Sequence, residues 1–427
     1  MQITAAEARV LAAIDEQWIV DALVAEVRVP SVTGTAAESE LQHRQAAELA
    51  ALGMDVDLWS IDVEQTRRHP DFPGDETDRT EAYGVVATTG QGEPALVLQH
   101  HVDVVPIGDP GKWEHAPFDA RIGGTTGGDV LHGRGACDMK AGAVANMAAV
   151  RALLTSGVRL ERPLAVHSVI SEEDGGLGAF ATLIRGHRGA AAVISEPTSG
   201  RLVTANAGAL TFELRCPGRA AHGSTRLEGV NAFDAFLPVH RALAQLEAAR
   251  NTAPDPRFAD NPLPYPISIG RVRTGDWASS VPDLLIAEGR YGVRIGEDPA
   301  DARREFEQAI AAVCAADPWL ADHPVVISWP GGQFASGAID DDHEFVRAVA
   351  DAAADVSGGV RPPTAAAPYG SDLRLYTGLG GIPTLHWGPG DARFAHAPRE
   401  QVQLDEVFMV ARGLALLAVR SCSHPTS

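Results

Sequence analysis

Cysteine is scarce: four residues in a chain of 427, at Cys137, Cys216, Cys314 and Cys422. None form a C-x-x-C pair, which argues against a thiolate zinc site or a dithiol redox centre and fits a reducing compartment. Basic residues are outnumbered, 35 Lys and Arg against 56 Asp and Glu, for a formal net charge of -21. Such a surface repels polyanions, so no nucleic-acid partner is expected. An anionic small substrate stays open, because a pocket can carry the opposite local field. Long apolar runs are also missing. Nothing approaches the roughly 18 residues that a membrane-crossing helix needs, so no membrane partner is expected. The stretch from Met1 to Gln17 lacks the basic segment and apolar core of a secretory signal. A cytoplasmic protein is the expectation.

What is present is ordinary globular composition, 45% hydrophobic and 21% charged, in a chain too long for one core. Apolar runs at Ala95–Leu98, Leu164–Ile170 and Ala191–Ile194 alternate with helical patterns such as Ala141–Thr155. That alternation predicts an α/β domain with a mostly parallel sheet flanked by helices. In such sheets ligands bind beyond the carboxyl ends of the strands. From about Asn206 the pattern changes. Leu210, Phe212 and Leu214 alternate with polar residues as in a half-buried strand. A helix over Val230–Arg250, strands over Ile267–Val272 and Leu284–Ile295, a helix over Ala300–Ala315 and a strand over Val325–Trp329 follow. The order βαββαβ predicts a two-layer, ferredoxin-like α+β domain. The boundaries are 1–205 and 331–427 for a catalytic domain, interrupted by 206–330. Arg361–Pro368 reads as a Pro/Ala-rich loop, and a last helix fits Leu404–Val419.

Each apolar run ends in potential metal ligands. His101 and Asp103 point the same way along a strand, with His100 opposite. Asp103 is placed to orient the imidazole of His101. Asp138 follows a glycine turn in Gly133-Arg134-Gly135-Ala136-Cys137-Asp138-Met139-Lys140, where it could bridge two cations or simply cap a helix. Glu172 and Glu173 sit in a run of three acids that needs neutralising if buried. One could bind metal while the other acts as base; a solvated acidic loop is the ordinary alternative. Glu196 in Ser195-Glu196-Pro197-Thr198 and His396 in Ala395-His396-Ala397-Pro398 are weak singly. Together, two imidazoles and several carboxylates without a thiolate suit two divalent cations, zinc first, with cobalt or manganese as substitutes. Two such cations polarise an amide carbonyl and activate water near neutral pH.

These motifs, in this order, resemble the co-catalytic zinc peptidase family of aminoacylase, carboxypeptidase G, succinyl-diaminopimelate desuccinylase and acetylornithine deacetylase. The resemblance runs from Val29-Pro30-Ser31 to the final helix. It implies two Zn2+ per chain: His101 and Glu196 on one, Glu173 and His396 on the other, and Asp138 bridging. It implies Glu172 as general base, Asp103 as orienter of His101, and a cis peptide after Asp138. The inserted domain would be a lid and dimerisation domain. There His222, in Gly218-Arg219-Ala220-Ala221-His222-Gly223-Ser224, would cross to the partner's site of a homodimer and stabilise the oxyanion. Arg290 fits the family's carboxylate-binding arginine, and Arg294 would share its face in a regular strand.

One departure is Ser279, a substrate-binding candidate beside Arg290 and Arg294, in Ser279-Ser280-Val281-Pro282, where many relatives carry Asn. With Tyr369-Gly370-Ser371-Asp372 and Pro389-Gly390-Asp391, it points to the acetylornithine-deacetylase-like branch. The reaction implied is removal of an N-acyl group, acetyl foremost, from an amino acid or related small amine. Deformylase, desuccinylase and dipeptidase activities fit the same site. A non-catalytic metal-binding protein would be expected to lose Glu172 or a ligand, and none is lost.

Overall fold

The computed structural model describes residues 3–125 and 128–423. The chain forms two units. The first holds the described residues up to Ala205, together with Ala338–Ala365 and those from Asp372 onward. The second holds Asn206–Gly337 and Ala366–Ser371, so the chain passes between units four times. The second unit thus extends beyond residue 330 and takes in a short returning segment.

The main sheet of the first unit runs in the order Asp55–Ser60, Tyr83–Thr88, Leu164–Val169, Leu96–His101, Ala192–Pro197, Thr384–Gly388 and Leu202–Asn206. The four strands from Leu164–Val169 to Thr384–Gly388 pair in parallel. The flanking pairings are antiparallel. The parallel strands are buried on both faces, which is why they read as apolar runs rather than alternating ones. Leu96 and Leu98 face a core shared with the helices Ala141–Thr155 and Leu404–Ser423. Val97 faces the other, with Phe180 and Tyr376.

Polar residues inside this sheet are hydrogen-bonded, as burial requires. His100 is one: Nε2 lies 2.8 Å from Gln45 Oε1, and Asn146 Nδ2 lies 3.2 Å from Nδ1. It packs on the opposite side of the strand from His101. The strand Ala192–Pro197 is gripped at Ser195. A methyl group at Gly142 would lie 1.9 Å from the Ser195 carbonyl oxygen, and one at Gly388 would lie 2.1 Å from it. Only glycine permits the helix and the neighbouring strand to approach so closely. The Ser195 hydroxyl also donates to Asn146 Oδ1 at 2.7 Å.

The second unit is a βαββαβ arrangement. Its antiparallel sheet runs Ile267–Thr274, Leu284–Val293, Gly208–Pro217, Val326–Ser328. The helices Ala232–Arg250 and Pro299–Ala316 complete the core, which includes Phe212, Tyr291 and Phe306. This is the ferredoxin-like order expected from the alternation. Among the described residues, no helix is long and apolar enough to cross a membrane.

Candidate metal centre

The carboxyl ends of the parallel strands bring the candidate ligands together within the first unit. His101 closes its strand, Glu172 and Glu173 follow Leu164–Val169, and Glu196 lies in Ala192–Pro197. His396 is in the loop after Thr384–Gly388, and Asp138 is in the turn before the helix Ala141–Thr155. His101 Nε2 is 3.3 Å from Asp138 Oδ1 and 3.5 Å from Glu196 Oε1. His396 Nε2 is 3.4 Å from Asp138 Oδ2 and 3.0 Å from Glu173 Oε2. Asp138 therefore divides its two oxygens between two imidazoles, each with its own glutamate. Glu172 offers an oxygen to the cluster of His101 and Glu196, whose ligand atoms lie within 4.8 Å of one another.

The main chain is specialised here. The Asp138–Met139 peptide is cis, as the resemblance implies. Ser171 and His396 adopt positive φ, at 63° and 59°, a region that non-glycine residues seldom occupy. Gly175 at φ 148° cannot be replaced, since a Cβ would lie 2.0 Å from Gly74 O. Of the three adjacent acids, Asp174 turns away and pairs with buried Arg79 at 3.0 Å.

Asp103 lies beneath the cluster. His101 Nδ1 is 2.9 Å from the Asp103 main-chain oxygen and 3.5 Å from its carboxylate. The carboxylate accepts the Glu172 and Glu173 N–H groups at 3.2 and 3.3 Å and the Thr33 hydroxyl at 2.8 Å. It joins two strand ends as well as facing the imidazole.

The electrostatics call for cations. Burial, reinforced by neighbouring carboxylates, pushes Glu172 well above the usual carboxylate range, raises Glu173, and pushes Glu196 up to about 7. The Glu173 carboxylate, with Asp138, drives His396 up to about 11 against the opposing effect of burial. Burial disfavours a charged His101, but Glu196, Asp103 and Asp138 outweigh it and raise the group. Acids that resist ionisation beside imidazoles that resist neutrality mark an excess of negative charge in low dielectric. Glu173 Oε1 is buried with no hydrogen-bond partner among the described residues, a donor atom with an unused lone pair. The nitrogen and oxygen donor set fits two divalent cations of the zinc type.

The other candidates lie in the second unit. His222 is exposed, and its Nδ1 accepts the Ser224 N–H at 3.2 Å. Its strand, Ala221–His222, pairs with Ser280–Val281, and the Ser279 carbonyl accepts the Gly223 N–H at 2.6 Å. Arg290 is half-buried within Leu284–Val293 and donates to Pro368 O at 2.8 Å. Arg294 does not share its setting. The strand ends at Val293, and the Arg294 guanidinium turns to Glu297 at 3.3 Å and Glu305 at 3.4 Å. The regular-strand expectation for Arg294 is corrected on that ground.

Several supporting residues escape sequence reasoning. Thr33, Arg79 and Asp372 brace the ligand-bearing strand ends; Asp372 Oδ2 accepts from Gln99 at 3.0 Å. Glu400, four residues beyond His396, accepts the Asp138 N–H at 3.1 Å. Its only local signal is an acid in the loop after Ala395-His396-Ala397-Pro398.

Known proteins share this architecture. The chain is 27% identical over 407 residues to the acetylornithine deacetylase of Erwinia tasmaniensis, covering 93% of this chain and 96% of that one. It is 25% identical over 397 residues to the N-formyl-4-amino-5-aminomethyl-2-methylpyrimidine deformylase of Halalkalibacterium halodurans, covering 87% and 86%. The solved structure of the di-peptidase Dug1p from Saccharomyces cerevisiae superposes with a TM-score of 0.75 at 14% identity, covering 98% of this chain and 99% of that one. Residues 97–420 match the sequence pattern of Peptidase family M20/M25/M40.

Proposed function

The chain belongs to peptidase family M20/M25/M40, and from that premise we propose that this metal-dependent amidohydrolase removes an N-acyl group, acetyl foremost, from an amino acid or related small amine. The observation that carries the reading is the division of the Asp138 oxygens between His101 with Glu196 and His396 with Glu173. Two zinc ions suit these donors, and when bound they polarise the scissile carbonyl and acidify a water molecule.

The chain's own residues then divide the work. Glu172 takes a proton from water as the water oxygen adds to the amide carbon. It returns that proton to the departing nitrogen as the C–N bond breaks. Burial and nearby carboxylates hold Glu172 well above the usual carboxylate range when no cation is bound, and cations bound beside it would draw it down toward the range of a working base. Asp103 fixes Glu172 and Glu173 through their main-chain N–H groups. Arg290, with one hydrogen bond to Pro368 and further N–H groups to offer, suits a substrate carboxylate. His222 would stabilise the oxyanion of the partner's site in a homodimer. Four free, buried cysteines among the described residues support a cytoplasmic setting.

The test is a hydrolysis panel of N-acetyl, N-formyl and N-succinyl amino acids, an N-formyl aminopyrimidine and dipeptides, with zinc, cobalt or manganese added. Fastest turnover is expected on an N-acetyl amino acid. Preference for the formyl pyrimidine would move the assignment to the second reading, deformylation, which the Halalkalibacterium relative favours. No turnover of any member by metal-loaded protein would leave a non-catalytic metal-binding protein.

A further inference from the structure

We infer that Glu400 is a positioning residue for the metal centre, fixing the main chain that carries Asp138 and tying it to the loop that carries His396. The inference rests on the metal-centre reading above.

Glu400 is 1% exposed. Its Oε1 accepts three consecutive-turn N–H groups: Gly135 at 2.9 Å, Cys137 at 3.1 Å and Asp138 at 3.1 Å. Its Oε2 accepts from Arg134 Nη1. Arg134 is 2% exposed, stacks at 5.2 Å on the Trp113 ring, and donates to Pro106 O at 3.3 Å. The main chain repeats the connection. Gly133 N–H donates to Glu400 O at 3.1 Å, and Gln401 pairs with His132 in the antiparallel ladder of Gln401–Gln403 and Gly128–His132. On the other side, Glu400 N–H donates to Ala397 O at 3.1 Å, one residue past His396.

A buried ion pair is a poor device for stability alone, since well-packed apolar side chains of similar volume often serve as well. Apolar side chains could not gather three N–H groups of one turn. Those groups would otherwise be buried donors without partners. The carboxylate therefore sets the shape of the turn from Gly135 to Asp138. The turn's shape in turn aims the Asp138 side chain between His101 and His396. The Glu400 carboxylate bonds the main-chain N–H groups of Gly135, Cys137 and Asp138, so its hold on the turn passes through the peptide chain, beside a charge repulsion with the Asp138 carboxylate. It lies 262 residues from Asp138 and four from His396, so one side chain sets the spacing of two separate ligand segments.

The test measures zinc affinity of the full chain by competition with a chromophoric chelator, alongside circular dichroism and thermal melting, for wild type, Glu400→Gln and Glu400→Ala. Loss of a group that orients a ligand typically lowers metal affinity by about 10–100-fold. Glu400→Ala is expected within that range while remaining folded. Glu400→Gln keeps an acceptor oxygen but loses the charge facing Arg134, and is expected between wild type and Glu400→Ala. In metal-free protein, hydrogen exchange at Gly135, Cys137 and Asp138 should quicken in both variants. With zinc saturating, kcat should fall while KM stays within about twofold, because substrate contacts persist. Zinc affinity within twofold of wild type in a folded Glu400→Ala protein would overturn the inference. Should Glu400→Ala not fold, wild-type affinity and exchange in Glu400→Gln would do the same. Failure of the wild type itself to bind zinc would instead sink the metal-centre reading.

Discussion

At the scale of single residues, two adjacent glutamates carry different expectations. Glu173 Oε2 lies 3.0 Å from His396, whereas a Glu172 oxygen lies within 4.8 Å of ligand atoms of His101 and Glu196. Glu173→Ala should lower metal content by removing a ligand. Glu172→Gln should keep both metals, since it preserves volume and hydrogen-bonding capacity, but it cannot accept the proton. A positioned base typically contributes about 10²–10⁴-fold, so kcat should fall at least about 100-fold with little change in KM. Steady-state kinetics with metal analysis on both variants decides. Near-wild-type kcat in metal-loaded Glu172→Gln means that the base is elsewhere, and metal loss from that variant alone means that the two roles are exchanged. His101, Glu172, Glu173 and Glu196 were legible because each sits in a short motif at the end of an apolar run, whereas Asp138 and His396, in a turn and a loop, stood out only through the order of motifs. Their supports were not legible. The Asp103 carboxylate meets N–H groups about 70 residues away, and Glu400 meets Asp138 across 262. Such pairings are made by the fold, and no local pattern announces them.

Elements make their own predictions. Exposed or loosely packed helical glycines usually gain stability on replacement by alanine, by up to about 1 kcal/mol. Gly142, in the helix Ala141–Thr155, should do the reverse, because its added methyl meets a backbone oxygen rather than a yielding side chain. Overpacking of this kind costs about 1–3 kcal/mol. Gly142→Ala should melt at lower temperature and, by displacing Ser195, should weaken metal binding at neighbouring Glu196. A raised melting temperature would show that the strand can yield. The strand Leu164–Val169 carries a pH dependence. Burial holds His167 down at about 3, with His187 and His100 adding to it, and Nδ1 lies 2.8 Å from the Tyr376 hydroxyl. The unfolded chain therefore binds a proton that the native chain refuses between roughly pH 6.5 and 3. Stability is full above about 6.5 and declines as pH falls, at up to about 1.4 kcal/mol per pH unit for this group. Melting curves from pH 7 to 5 should be less steep in pH for His167→Gln than for wild type; an unchanged slope would mean that other groups dominate. Leu96–His101, Leu164–Val169, Ala192–Pro197, the helices Ala141–Thr155 and Leu404–Ser423 and the main elements of the second unit were readable from periodicity and apolar runs, but Asp55–Ser60, Tyr83–Thr88 and Thr384–Gly388 were not. The end of the strand at Val293 was not, since it is set by Arg294 finding Glu297 and Glu305. Thr364–Ala367 was read within a loop, because alanine and proline carry no strand signal and the strand depends on its neighbour, Leu202–Asn206.

For the whole molecule, zinc should act as a stabilising ligand. Free zinc at 100 times its dissociation constant adds about 2.7 kcal/mol per site, so the melting temperature should rise on loading and fall with chelator. An unchanged melt with no bound metal would remove the centre. The second unit exposes Leu227, Trp277 and Val326 at 92%, 73% and 59%, apolar surface consistent with a proposed twofold dimer. Light scattering at micromolar concentration should give twice the 44.9 kDa chain mass, and a monomer would also withdraw the role given to His222 in a partner's site. Finally, the four passages of the chain between units bear on how the gene can be cut. A deletion from codon 206 to 337 would leave behind Ala366–Ser371, and with it the Pro368 carbonyl that receives Arg290. Conversely, a fragment expressed from that interval would start life without its own closing segment. Swapping this unit between relatives thus requires two coordinated splices, and recombination at a single pair of junctions would yield a chimaera with one parent's sheet and the other's clasp.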